Sequence, residues 1–395
     1  MKKFVSLLLA GLTAVSMAAC SSGGGSATPA PDAGNTPKET AEAAPAEETA
    51  AEIKVAMITD YGDITDQSFN QTTYEAAKAY CDSNGLAFTY YKPAGDSTAE
   101  REAMIDKAVA DGYNVLVMPG FAFAEAIAGT VEMYPEVKYV ALDVAEFDLS
   151  SAGLTEIPEN LFSAVYQEEI AGYFAGQAAV KLGYEKLGFL GGMAVPAVIR
   201  YGYGFVQGAD DAAAELGKTV EIKYAYGNQF YGDADITAAM DTWYADGTEV
   251  VFACGGGIYG SAAEAAQKVG GKVIGVDVDQ AAIIDGKYGA GMTVTSAMKG
   301  LYPTTYDTLT DVIINGNWDK YAGQITTLGL VSGTDPEANY VQIPMNTTQF
   351  ADAFTVEDYK ALVADMFSGK VVVDDGIGAE PATTNCKVEW LGNLK

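Results

Sequence analysis

Short apolar runs rich in β-branched residues alternate with Ala-rich stretches of helical period along most of the chain. The runs are IKVAMI (Ile53–Ile58), NVLVMP (Asn114–Pro119), KYVALD (Lys138–Asp143), KLGFLG (Lys186–Gly191), VEIKYAY (Val220–Tyr226), EVVFAC (Glu249–Cys254), KVIGVD (Lys272–Asp277) and GMTVTS (Gly291–Ser296). Between them lie SFNQTTYEAAKAYC, AEREAMIDKAVADGY, FAEAIAGTVEMYP, GADDAAAELG, DITAAMDTWYADG and SAAEAAQKVGG. Strands spaced by helices of this length predict βαβ units and parallel α/β sheets. Helix punctuation fits: Ser68 with Gln71 and Ser97 with Glu100 match capping boxes, and Gly217 and Gly270 follow helical runs as C-caps. The alternation breaks across residues 144–164, passes into a long helical stretch, VYQEEIAGYFAGQAAVKLG, and starts afresh at Lys186. The pattern therefore predicts two Rossmann-like lobes with a hinge. One comprises 53–160 plus part of 298–330, the other 161–297 plus part of 331–395, with the irregular tail from Asp311 returning to complete both.

The first twenty residues, MKKFVSLLLAGLTAVSMAAC, stand outside this pattern. A basic start (Lys2, Lys3), an apolar stretch from Phe4 to Val15 and small residues before Cys20 form a secretory leader. MAAC resembles the bacterial lipobox, with Met17 where Leu is commoner, and the resemblance implies lipidation at Cys20. Residues 21–52 hold no aromatic or large aliphatic side chain and carry six acids against Lys38, which predicts a disordered acidic tether. The expected location is extracytoplasmic, on a lipid anchor. Nothing after Glu52 offers the roughly eighteen continuous apolar residues of a membrane span.

A net charge of −30 argues against nucleic acid and anionic lipid headgroups as partners. Cys81, Cys254 and Cys386 lie far apart, form no Cys-x-x-Cys pair and allow at most one internal bridge.

In open α/β sheets ligands bind beyond the carboxyl ends of the strands. The residues there are Asp60, GFAF at 120–123, Asp143, GGM at 191–193, GGG at 255–257 and DVDQ at 277–280. The recurring carboxylates raise the possibility of an acid-pair hydrolase acting on glycosides or nucleosides, or of a metal site. The chain has no His, which removes Ser-His-Asp triads and His bases, and the acids of DYGDITD lack the Asp-x-Asx-x-Asx-Gly spacing of a calcium loop. No phosphate-loop motif is present. A binding cleft needs acceptors for hydroxyl and N–H groups and apolar plates for a ring, and the strand-end acids and Phe69, Phe121, Phe123, Tyr201, Phe230 and Tyr231 supply both. Asp66 reads as a helix-start acid, and Asp279 with Gln280 as shaping a turn or an interface between the lobes.

MITDYGDITDQSFNQTTYEAA resembles the opening signature of the basic membrane protein (BMP) family of substrate-binding lipoproteins, which includes purine nucleoside receptors of ABC transporters. Later blocks follow in the same order: VMPGFAFAEAI, KYVALD, AGYFAGQAAV, LGFLGGMAVPAVIRYGYGFVQGA, VVFACGGGIYGSAAEAAQKVGGKVIGVDVDQ and TVTSAMKG. The resemblance implies a type I periplasmic-binding-protein fold that closes over a nucleoside as a monomer and delivers it to an ABC permease, with no cofactor and no reaction. It implies that Phe69 and Phe230 sandwich the base, with Asn70 beside the first. Asp143 would read the base edge, and Asp60, Gly256, Asp277 and Lys299 would hold the ribose. Two positions depart from the family pattern. Asp63 replaces the second Gly of the opening turn, and NQFYGDAD differs around the second plate, so that Tyr231 competes with Phe230 for that role. A sugar or small signalling ligand is the alternative occupant.

Overall fold

The computed structural model describes residues 52–395; the leader, Cys20 and the tether up to residue 51 lie outside the described residues. In the first half, strands β1 (Lys54–Ile58), β2 (Ala87–Tyr91), β3 (Val115–Pro119), β4 (Lys138–Leu142) and β5 (Leu161–Tyr166) alternate with helices. These are α1 (Phe69–Asn84), α2 (Thr98–Ala110), α3 (Ala124–Thr130) and α4 (Glu146–Ser151). The second half repeats the pattern with β6 (Lys186–Gly191), β7 (Val220–Tyr226), β8 (Val250–Cys254), β9 (Lys272–Asp277) and β10 (Thr293–Lys299). Its helices are α5 (Glu168–Lys181), α6 (Pro196–Leu216), α7 (Ala234–Ala245), α8 (Tyr259–Val269) and α9 (Ala281–Tyr288). The tail adds α10 (Leu301–Leu309), β11 (Gln324–Leu328), β12 (Val341–Gln342), α11 (Val356–Phe367) and β13 (Cys386–Asn393).

Two sheets result, ordered β11-β5-β4-β3-β1-β2 and β12-β10-β9-β8-β6-β7-β13. Every pairing is parallel except β10 with β12. Inner strands β3 and β8 are buried at every residue, as strands covered on both faces by helices must be, whereas the edge strand β11 is largely exposed.

The first sheet includes β5, so its chain runs to Tyr166 and not to the boundary expected at residue 160. LFSAVY passes into α5 with no Gly or Pro between, and its last two residues read as part of the helix. The chain then crosses between the lobes at Gln167, at Gly300 and between β11 and β12. Gln167 N–H donates to Leu328 (3.0 Å) and Gly300 N–H to Tyr340 (2.7 Å), tying the crossings together.

Helices α5 and α6 pack at backbone contact. A Cβ on Gly172 would lie 2.0 Å from the Tyr201 carbonyl oxygen, and one on Gly204 would lie 2.0 Å from that of Glu169. Only hydrogen fits at either place. Gly172→Ala should therefore cost about 1–3 kcal/mol in chemical denaturation, the range for overpacking, and should displace the start of α6.

Ser97 caps α2, accepting from Glu100 N–H at 3.3 Å, and Gly217 and Gly270 close α6 and α8 with φ of 63° and 76°. Ser68 does not cap α1. Asp66 takes that role, accepting from the N–H groups of Ser68 (2.9 Å), Asn70 (2.9 Å) and Gln71 (3.1 Å). The Ser68 hydroxyl is thereby left to reach the other lobe. Cys81, Cys254 and Cys386 are buried and unbridged. Among the described residues no helix is long and apolar enough to cross a membrane.

Candidate functional site

Strand order reverses beside β1 in the first sheet, where β2 and β3 lie on either side, and beside β6 in the second, flanked by β7 and β8. Loops leaving such neighbours diverge and open a crevice. The two crevices face one another and enclose a cavity of 530 Å³. Asp60, Phe69, Asn70, Asp143, Phe230, Gly256, Asp277 and Lys299 all line it.

Asp60 follows β1 and is buried, its Oδ1 accepting from the N–H groups of Tyr61 (2.6 Å) and Gly62 (2.7 Å). Burial raises its pKa, and those two N–H groups oppose the rise. Asp143 directly follows β4 and Asp277 is the last residue of β9, with φ of 61° and 65°. Asp tolerates this left-handed geometry better than most side chains, and here it turns one carboxylate from each lobe into the cleft.

Lys299, at the end of β10, meets these acids. Its ammonium donates to Asp143, donates to Glu168 at 3.3 Å and lies 3.8 Å from Asp277. Burial works against the lysine charge, yet the carboxylates hold its pKa above the usual lysine value. Burial likewise lifts Asp143 and Asp277 above the normal carboxylate range, against the pull of Lys299. The same ammonium sits 4.7 Å from the centre of the Phe69 ring. Asp143 Oδ1 and Asn70 Oδ1 are buried with no hydrogen-bond partner, so the cavity presents acceptors in need of donors.

Phe230 is half-buried against Gly192 and Gly255, while Tyr231 is 63% exposed. Both line the cavity, and Phe230 is the more buried of the two. Asp63 points to solvent and pairs with Lys92 at 2.9 Å. Gln280 donates to the Gln67 carbonyl across the cleft at 3.1 Å, and Asp279 shapes its turn by accepting from Ala281 N–H at 3.1 Å. The Ser68 hydroxyl donates to Asp277 at 2.5 Å.

Sequence reasoning missed three groups at or behind the cleft wall, Tyr61, Glu168 and Arg200. Tyr61 spans the lobes, donating to Met193 Sδ at 3.2 Å with its ring 6.4 Å from that of Phe230. Glu168 is fully buried between Arg200 (2.7 Å to Nε) and Lys299. Tyr201 lines the wall beside Arg200, and sequence reasoning considered it only as a stacking ring. Glu168 and Arg200 stand in helical stretches rather than strand-end loops, so the strand-end rule passes over them. Two adjacent acids at a crossing between lobes were the available signal for Glu168.

The neighbouring Glu169 is buried with Oε2 unpartnered, and burial pushes its pKa up to about 8. Between its unfolded value near 4.5 and about 8 the folded state holds the extra proton, so stability falls as pH rises through that window. Thermal melts from pH 5 to 9 should show Glu169→Gln flattening this slope and exceeding the parent's stability at pH 9.

A family model described as "ABC transporter substrate-binding protein PnrA-like" matches residues 53–341. The chain belongs to this Bmp family. It is similar to the ABC transporter nucleoside-binding protein BmpA of Lactococcus lactis subsp. cremoris, 30% identical over 256 residues that cover 60% of this chain and 66% of that protein. It is also similar to basic membrane protein B of Borreliella burgdorferi, 28% identical over 304 residues covering 74% of this chain and 83% of that protein. Among solved structures, an ABC transporter solute-binding protein from Aeropyrum pernix K1 superposes with a TM-score of 0.61 at 22% identity, covering 82% of this chain and 88% of that one. That likeness establishes the fold, the two-lobed type I periplasmic solute-binding architecture. This Bmp-family chain is an ABC transporter substrate-binding protein.

Proposed function

We propose that this Bmp-family protein captures a purine nucleoside between its lobes and presents it to an ABC permease while held at the outer membrane face by a lipid on Cys20. The observation that carries the ligand reading is convergence. Two aromatic rings, one per lobe, and an unpaired buried acceptor, Asp143 Oδ1, face one 530 Å³ cavity. That volume falls within the roughly 300–1,000 Å³ of small-molecule pockets.

In this reading Phe69 and Phe230 stack on the base and Asp143 accepts its N–H groups. Asp60 and Asp277 accept from the ribose hydroxyls, Lys299 donates, and Gly256 lets the backbone approach closely. Ionised carboxylates accept two bonds each, which suits vicinal hydroxyls. Closure would bury these charge-assisted bonds, and a ligand lacking a donor would leave an acceptor unpaired at about 1–3 kcal/mol. The Tyr61, Ser68 and Gln280 contacts between lobes support a closed form that a permease can distinguish from an open one.

The test is incubation with inosine or guanosine, followed by chromatography and a thermal melt. Intact nucleoside with a raised melting temperature is the expected result; released base would establish a hydrolase instead.

A further inference from the structure

Arg200 lies in the first turns of α6, and the roles above leave it unused. Its Nε donates to Glu168 at 2.7 Å, and Glu168, fully buried, takes a second bond from Lys299, which also pairs with Asp143. A linked row Asp143, Lys299, Glu168, Arg200 therefore joins cavity-lining positions, with Glu168 buried behind the wall and both ends of the row lining the space. The ends are chemically opposite. Asp143 offers the buried, unpartnered Oδ1. Arg200 offers its two terminal guanidinium nitrogens, which have no hydrogen-bond partner among the described residues, on a side chain 18% exposed.

We propose that Arg200 is a specificity-determining residue that selects purines with a carbonyl at position 6 over those with an amino group there. The inference rests on the nucleoside reading and names the subclass that the site takes. A 6-oxopurine carries an N1–H donor next to the O6 acceptor, and guanine adds the 2-amino donor on the same edge. An edge that carries a donor and an acceptor is complementary in chemistry to a wall that offers the Asp143 acceptor and, beyond Lys299, the Arg200 donors. A 6-aminopurine reverses both groups: bare N1 would face the carboxylate and the amino hydrogens would face the guanidinium. Arginine has no acceptor and an ionised carboxylate no donor, so neither can adapt. A guanidinium also stays charged at any ordinary pH, which fixes the preference.

Calorimetric titration with inosine, guanosine, adenosine and unsubstituted purine riboside tests this. The parent should bind inosine and guanosine at least about tenfold more tightly than adenosine, because a site built for a partner rejects the analogue that lacks it. Arg200→Gln should weaken inosine and guanosine toward the purine riboside value and leave adenosine nearly unchanged, narrowing the ratio. Because Arg200 pairs with buried Glu168, Arg200→Lys serves as the second variant. It keeps a cation for Glu168 but lacks the fork, and it should fold and still lose most of the preference. Melts without ligand report folding of each variant.

Equal inosine and adenosine affinity in the parent overturns the proposal while leaving the nucleoside reading intact. So does a folded Arg200→Lys that keeps the full preference. Failure of all four nucleosides to bind the parent overturns both.

Discussion

Replacing Lys299 with methionine is expected to lower the unfolding free energy by about 3–5 kcal/mol, the cost of removing one partner from a buried ion pair. The ammonium contacts Asp143 and Glu168 and lies 3.8 Å from Asp277, and all three carboxylates are at least nine-tenths buried. Arg200 alone would then balance them at close range, through Glu168. The loss should also carry a pH signature. Without the lysine, the Asp143 and Asp277 carboxyls rise further above their unfolded values, so the folded state holds more protons than the unfolded chain. The deficit should be largest near pH 8 and shrink toward pH 5 as the acids take up protons. Urea denaturation at the two pH values checks this; a small deficit independent of pH would mean that the acids are not held by Lys299.

Phe230→Ala and Phe69→Ala should each weaken nucleoside binding by about 1–3 kcal/mol, the value of stacking a base on an aromatic ring. Their effects on the free protein should differ. Phe230 leans on glycines at the cleft rim and its loss should leave the apo melt nearly unchanged. Phe69 lies under the Lys299 ammonium, so Phe69→Ala should lower the apo melt as well. Tyr231→Ala should do little to either, since that ring is 63% exposed. Calorimetry and apo melts on the three variants separate the roles, and a larger binding loss for Tyr231→Ala than for Phe230→Ala would reassign the second plate.

Much of the fold is legible in the chain because parallel strands buried on both faces read as continuous apolar runs. VLVMP and VVFAC are examples, each followed by a helix of separate period. Strands lacking that signal were not legible. AFTYY (β2) is half-exposed at a sheet edge, and LFSAVY (β5) runs into a helix without a breaker. The site divides in the same way. Asp60 and Asp143 follow strands and Asp277 ends one, and the strand-end rule finds them. Arg200 and Glu168 depend on α5 and α6 meeting at Gly172 and Gly204, a packing fact that no local pattern encodes. Ser68 reads as a cap because Gln71 follows at the right spacing. Asp66, two residues earlier, accepts the same N–H groups and frees the hydroxyl for Asp277.

The central claim, that the cleft takes a whole purine nucleoside, joins base recognition by Phe69, Phe230 and Asp143 to ribose recognition by Asp60, Asp277 and Lys299. The most direct measurement is calorimetric titration with nucleosides alongside the free bases, ribose and simple sugars. Binding of a purine nucleoside far tighter than of its base or of ribose alone is the predicted result. Binding of a sugar with no heat from any nucleoside would contradict it.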